Sequence, residues 1–408
     1  MNHFYREALK IAERKLVRGE AGDVLQSPRL GTGGKFRDTF LWDTAFCAMW
    51  ARYEPARFPV ENSLDNFYRL QDGDGFISRQ YLPSGLSKWA KWHPVSFAPP
   101  ILAWAELKLY ETGMFPGRLA RVYPMLARQH GFNRRFRRAD GLYFSDCWGC
   151  GMDNMPRWNS PDEITDEGGI CLTPEAITPT ANREELFRFM VAHPKYHFSW
   201  NRQLGWCETS CQVAFNAANL ARIARILGRN AEAEAWEREH RELAEKINEL
   251  CYDEETRFYY DTFGGTFVRR KHIGAFWTLV AQVAPPERAE RLIGELRNPE
   301  TFCRPHGVPC LAADDPDYDS ENGYWCGPAW CPATYMVLCG LRRYQEEKLA
   351  RDIAEKFYLA TRSVFEATGT IWENYSVEQA DRPTGCSGRD FCGWSALAPV
   401  TIYREFLC

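Results

Sequence analysis

Between residues 213 and 250 the chain sets its apolar side chains at helical spacing twice in succession. Val213, Ala217, Leu220, Ala224 and Leu227 step by four and three and stop at Gly228, and Trp236, His240, Leu243, Ile247 and Leu250 resume after a polar turn at Arg229-Asn230. One stripe per helix and a connection this short predict two antiparallel helices packed face to face. The same spacing predicts helices over about 3–18, 43–54, 58–70, 97–113, 117–137, 270–284, 286–297, 328–343, 346–365 and 389–406, which with the first pair makes twelve. Alternating runs are scarce; Arg257–Asp261 and Thr266–Val268 predict one short hairpin. Twelve helices with mostly short connections and no linker-like break in composition favour an all-α architecture. We expect an (α/α)6 barrel, a closed toroid of six helix hairpins, occupying residues 1–408 as a single catalytic domain.

Three stretches depart from the short connections: about 72–100, 140–205 and 298–327. Long ordered loops in a compact fold usually carry function, so these are expected to crowd one rim as an active-site mouth. Composition narrows the function. A formal charge of −4 excludes a generally basic nucleic-acid binder, and no apolar run approaches the ~18 residues of a membrane-spanning helix. Fifteen Trp, 18 Tyr and 25 Phe supply flat apolar rings on which a pyranose can stack. Charges run through Met1–Gly19 where a secretion signal would be apolar, and the cysteine count is odd, so a reducing, cytoplasmic setting is expected. Cys147–Cys150, Cys207–Cys211 and Cys326–Cys331 lack the second pair of a zinc site, and Pro194 breaks the helix that would present His193 with His197. Asp72-Gly73-Asp74-Gly75 has Pro83 where a calcium loop needs Glu. No metal or cofactor is expected. The arginine-rich segment Arg118–Arg138 reads as a solvated outer face, and the expected partner is a small carbohydrate, with no nucleic acid or membrane.

Four loop segments set acids among aromatics: Trp42-Asp43, Trp148 through Asn154 with Asp153, Glu321 through Trp325, and Trp372-Glu373-Asn374-Tyr375. Indole and phenol walls exclude water and can raise one carboxyl's pKa while a better-hydrated partner stays ionised. Glycosidic hydrolysis requires that division of labour.

The motifs in order, Gly33-Gly34-Lys35-Phe36-Arg37-Asp38 with Leu41-Trp42-Asp43, Gly151-Met152-Asp153-Asn154 with Arg157-Trp158, Tyr324-Trp325 with Gly327-Pro328 and Trp330, Glu373-Asn374-Tyr375, and Phe391-Cys392-Gly393-Trp394, resemble glycoside hydrolase family 63. Within it, the Gly-Met-Asp-Asn block is most similar to the small bacterial mannosylglycerate and glucosylglycerate hydrolases. The related trehalases share the Gly-Gly-x-Phe and Trp-Asp elements, but their Gln-Trp-Asp signature is not found here. The resemblance implies an inverting mechanism without metal, with Asp153 as general acid and Glu373 as general base. It implies substrate contacts at Trp42, Asp43, Gln80, Trp148, Gly151, Arg157, Trp158, Tyr324, Trp325, Gly327, Trp330 and Trp394. Cys326 departs from the Arg that many relatives carry there, which removes a planar donor. Arg79, Lys88, Lys91, Arg157 and Arg202 are loop cations able to receive a carboxylate.

The expected activity is an inverting, exo-acting α-glycosidase of α-glucosidase type on short α-glucosides, with a mannosylglycerate- or glucosylglycerate-type hydrolase as the alternative. Sugar epimerases also use (α/α)6 barrels but rely on histidines for proton transfer, and none of the eight histidines lies in the four acid-aromatic segments. A sugar-binding protein without catalysis is disfavoured by the presence of both carboxyls in aromatic settings. The choice between gluco and manno sugars rests on one or two hydroxyl contacts.

Overall fold

The computed structural model of the chain describes residues 2–159, 178 and 202–408. The His193–His197 pair lies outside the described residues, as does most of the later part of the 140–205 loop. The described chain is mostly helical, and its strands are two or three residues long with no closed sheet. Burial sorts the helices into two kinds. Every residue of α2 (Leu41–Ala51) is buried, and α4 (Leu102–Tyr110) and α7 (Cys207–Ile226) are buried over most of their surface. Such all-round burial belongs to helices inside a larger assembly. By contrast α1 (His3–Arg14), α3 (Val60–Arg69), α8 (Asn230–Leu250) and α12 (Glu347–Thr368) bury only a stripe; in α8 it comprises Ala233, Glu239, Leu243 and Ile247.

The buried elements contact one another in a cycle. Helix α2 packs on α4, α4 on α7, α7 on α9 (Trp277–Val280), α9 on α11 (Cys331–Arg343), α11 on the 3₁₀ turn Trp394–Leu397, and that turn on α2. Striped helices back this cycle: α3 against α2, α5 (Arg118–Asn133) against α4 and α7, α8 against α7, and α12 against α11. The cycle closes at Gly393. A Cβ there would lie 1.7 Å from the carbonyl oxygen of Thr32, and the Trp50 indole donates to Gly393 O at 2.8 Å. No helix among the described residues is long and apolar enough to cross a membrane.

Several expected helices are shorter than their apolar patterns. The one expected over 97–113 starts at Leu102, because Pro99 and Pro100 each disfavour helical backbone at the residue before them. The one expected over 270–284 is a 3₁₀ turn, Ile273–Phe276, followed by four α-helical residues, and the last expected helix starts at Trp394 and continues as the π-type turns of Ala398–Leu407. A hairpin does end in Thr266–Val268, but its first strand is Asp261–Phe263 and not Arg257–Asp261, whose Phe258–Tyr259 pairs with Tyr252–Asp253. Two pairings that alternation did not reveal join Thr39–Phe40 to Gln80–Tyr81 and Ala329–Trp330 to Asn374–Tyr375. They bring loops distant in sequence to one side of the buried cycle.

The arginine-rich segment is largely the solvated face expected, five of its seven arginines being exposed and only Arg118 buried. Arg121 pairs with Asp65, Arg134 with Glu239, Arg138 with Asp140, and Arg128 donates to Gln71. Arg118 is buried and reaches Glu106 through Nε at 2.6 Å and Nη2 at 2.8 Å, with Glu106 itself 1% exposed. Arg121 and Arg134 thereby tie α5 and its continuation to α3 and α8, and Arg118 ties α5 to α4. Replacing Glu106 by Ala leaves the Arg118 fork half-satisfied in the interior and should destabilise the fold by about 3 kcal/mol in urea titrations, an effect that a surface ion pair would not give.

Candidate active site

The acid-bearing turn begins with Asp146, whose buried carboxylate accepts from Gly149 N and caps the short helix α6 (Cys147–Cys150). Gly151 ends that helix in the left-handed region at φ 83°. A Cβ on Gly151 would fall 2.0 Å from the Trp42 ring, so the indole lies directly across the turn and Asp153 emerges beside it. Trp42 comes from the first turn of α2, as does Asp43, and meets Phe46, Trp394 and Trp325 at ring-centroid distances of 5.4, 5.6 and 6.3 Å.

On the opposite side Glu373 precedes the strand Asn374–Tyr375, which pairs with Ala329–Trp330. Its Oε2 accepts from Gly388 N at 3.1 Å and its Oε1 from the Tyr324 hydroxyl at 3.4 Å. Tyr324 has a positive φ of 57°, costly for a residue with a Cβ, and its carbonyl is held by the Trp330 indole at 3.0 Å. The neighbours on either side of Tyr324 are tied to the acid turn: Asn154 donates to Gly323 O at 2.9 Å and accepts from Trp325 N at 3.0 Å.

These elements enclose a cavity of about 330 Å³, within the range of small-molecule sites. Its wall includes Trp42, Asp43, Gln80, Trp148, Gly151, Asp153, Tyr324, Trp325, Glu373 and Trp394, all expected site residues. Gln80 is locked in orientation, donating to Asp38 at 2.6 Å and accepting from the Trp89 indole at 2.9 Å. The Trp394 indole N–H is buried without a hydrogen-bond partner among the described residues.

Four expected contacts stand off the wall. Trp330 stacks behind Trp325 at 3.9 Å and 7°, and Gly327 lies beneath the Asp319 carbonyl. Trp158 is buried outside the cavity lining, and Arg157 is fully buried in an ion cluster with Glu208 and Asp261. Cys326 is buried and donates to Asn154 O at 3.2 Å.

The wall also holds Arg79 and Lys88, two of the loop cations considered as carboxylate receptors, and residues that sequence reasoning did not single out: Thr32, Phe36, Phe40, Trp89 and Phe391. Phe36 and Phe391 stand inside the quoted motifs, and Arg79 immediately precedes Gln80. Of the five loop cations considered as carboxylate receptors, only Arg79 and Lys88 reach the cavity. Lys91 pairs with Asp72 and Asp74, Arg157 is in its ion cluster, and the Arg202 guanidinium lies over the Phe144 ring. Arg79 is 7% exposed, stacks on Trp89 at 4.6 Å, and has no ion pair and a buried Nε without a partner among the described residues.

Burial dominates the electrostatics. It pushes Asp43, Asp153 and Glu373 each up to about 7. For Asp153 the Arg79 charge opposes that rise and the Glu373 and Asp146 charges add to it. For Glu373 the Gly388 and Tyr324 donors favour the ionised form. Charge on Glu373 thus favours the protonated form of Asp153.

The sequence profile of the mannosylglycerate hydrolase MGH1-like glycoside hydrolase domain matches residues 37–395. A mannosylglycerate hydrolase from Rubrobacter radiotolerans is 26% identical over 89% of this chain and 90% of its own length. An uncharacterised protein from Borreliella burgdorferi is 24% identical over 80% of this chain, which spans 61% of that protein. The crystal structure of the family 63 mannosylglycerate hydrolase from Thermus thermophilus in complex with Tris and D-glycerate superposes with a TM-score of 0.73 at 20% identity, covering 98% of this chain and all of that one.

The raised Asp153 pKa has a stability consequence. Between about pH 4 and pH 7 the folded protein keeps a proton that the unfolded chain has released, so stability falls as pH rises through that window. Asp153→Asn mimics the protonated form. It should match the parent below pH 4 and exceed it by about 1–4 kcal/mol above pH 7 in thermal or urea unfolding.

Proposed function

The chain is a glycosidase of glycoside hydrolase family 63 with a mannosylglycerate hydrolase MGH1-like domain, and on that premise we propose that it hydrolyses a short α-glycoside of a small hydroxy acid, inverting the anomeric carbon. The cyclic packing of buried elements backed by striped helices is read as an (α/α)6 barrel acting as one catalytic unit. The observation that carries the substrate reading is Arg79: a buried guanidinium without an acid partner among the described residues, beside Lys88, in the cavity that holds Asp153 and Glu373. A guanidinium this desolvated needs an anion, and a glycerate-like aglycone brings one to the leaving-group oxygen.

In this reading the sugar lies among Trp42, Trp325 and Trp394, with Asp43 and Gln80 accepting and donating to its hydroxyls. Asp153 gives its proton to the glycosidic oxygen as the bond to the anomeric carbon breaks. Glu373, ionised, takes a proton from a water that attacks the opposite face of that carbon, and the product leaves with inverted configuration. The family comparison supports the acidic aglycone over the neutral α-glucoside expected from the motifs. A neutral disaccharide is favoured only by the aromatic wall, which suits any pyranose.

Proton NMR of hydrolysis on α-glucosides, α-mannosides and their glycerate conjugates tests the reading. The expected result is a β-anomer as first product, turnover reduced at least 10³-fold in Asp153→Asn and Glu373→Gln, and a KM for the glycerate conjugates at least tenfold higher in Arg79→Met. An α-anomer first, or an Arg79→Met variant that treats acidic and neutral aglycones as the parent does, overturns it. The pH profile should be bell-shaped around 7. Removing the Tyr324 hydroxyl takes a donor from the Glu373 carboxylate and raises its pKa, so Tyr324→Phe should move the acidic limb of kcat/KM to higher pH and leave the basic limb in place.

A further inference from the structure

Arg157, four residues beyond Asp153, carries a charge that never reaches the cavity, yet it is bonded more heavily than any cation on the cavity wall. Its Nη2 donates to Glu208 Oε1 at 2.7 Å and to Cys150 Sγ at 3.4 Å. Its Nη1 donates to Asp261 Oδ2 and lies 3.2 Å from His272 Nε2, and the guanidinium plane sits 4.2 Å over the Trp206 ring. Arg157, Glu208 and Asp261 are at most 1% exposed.

The partners come from four separate segments. Glu208 belongs to the first turn of α7, Asp261 to the strand Asp261–Phe263, His272 to the bend before the 3₁₀ turn, and Cys150 to the end of α6. Asp261 is fixed in turn by Cys207 N, which donates to its Oδ1 at 2.8 Å. Cys150 stands one residue before Gly151 and also accepts from Met152 N at 3.4 Å, so the Arg157 side chain ties the end of the Asp153 loop to its own beginning. The loop is thereby closed on itself and bolted to the buried helix behind it, with Asp153 on the far side.

We infer that Arg157 is the positioning residue for the general acid: it acts through Asp153, aiming that carboxyl at the leaving-group oxygen, and it makes no contact with substrate. This rests on Asp153 being the acid. It replaces the substrate contact that the family resemblance implied for Arg157, and it separates two arginines of the site by task, Arg79 for the ligand and Arg157 for the acid. A lysine cannot stand in, because one ammonium group cannot spread its donors over Glu208 and Cys150 on one side and Asp261 on the other as the two Nη groups of the planar guanidinium do.

The test compares substrates that differ in their need for an acid. An α-glycosyl fluoride loses fluoride with the bonding electron pair and needs little protonation, while Glu373 and water act as before. Arg157→Lys should lose at least 30-fold in kcat on an aryl or alkyl α-glycoside with KM changed less than threefold, and should lose less than threefold on the fluoride. Glu208→Gln leaves an oxygen for the fork and keeps the fold if Arg157→Lys does not, and should show the same split at smaller amplitude. Equal losses on both substrates would reduce Arg157 to a structural role, and a KM rise with kcat retained would restore it as a substrate contact. Asp153→Asn is run beside them. If the fluoride fails to rescue Asp153→Asn, the acid assignment itself falls, whatever Arg157→Lys does.

Discussion

An indole can lie across a backbone turn only where the turn carries no Cβ. That contact, Trp42 on Gly151, organises the catalytic side of this protein. It joins the first turn of α2 to the turn that delivers Asp153, two places separated by about a hundred residues of chain. From Trp42 the packing continues to Trp394 and Trp325, from Trp325 to Trp330 behind it, and from the Trp330 indole to the Tyr324 carbonyl. Tyr324 then reaches Glu373. Asp153 and Glu373 belong to different sectors of the fold, and this run of aromatic rings together with the Asn154 bridge gives them a common frame.

The same walls set the electrostatics. Indole and phenol surfaces displace water from three carboxyls, and the loss of hydration outweighs the donors and the helix N-terminus that would keep Asp43 and Glu373 charged. Such an arrangement costs stability wherever the carboxyls ionise, which is why it is confined to a cavity and offset by a guanidinium. Elsewhere in the interior charge is handled in the opposite manner. Glu106 with Arg118, and Glu239 with His130 and Arg134, are paired closely and left no role in the cavity. Around Asp153, by contrast, Arg79 Nε and Trp394 Nε1 are both buried without an acceptor among the described residues.

Much of this was legible in the chain. The apolar stripes announced the helices, and the stripe on Asn230–Leu250 matches its buried face at Leu243 and Ile247. The acid-aromatic segments supplied eight of the seventeen residues of the cavity wall, including all three of its carboxyls. Local periodicity could not show how the helices around Ile273 and Trp394 tighten into 3₁₀ and π turns, since apolar spacing is nearly the same in all three. Nor could it show the two-residue pairings at Gln80 and Asn374, which are too short to alternate yet decide which loops meet.

The arginines mark the sharpest limit. Arg79 and Arg157 both stand in long loops beside aromatic and acidic motif residues, and nothing local distinguishes them. What separates them is the number of carboxylates that the fold brings within reach, a quantity fixed by contacts over about 50 and 100 residues of chain. Arg157 meets Glu208 and Asp261, and its charge is spent inside the protein. Arg79 meets none as an ion pair among the described residues, although Asp43, Asp146 and Asp153 all bear on its charge from a distance. Two of those acids, Asp43 and Asp153, line the cavity, and burial favours their protonated forms, so they are poor permanent partners. Arg79 lines the same cavity as Asp153 and Glu373 without an ion pair among the described residues, and under the proposed function the charge that completes it arrives with the substrate.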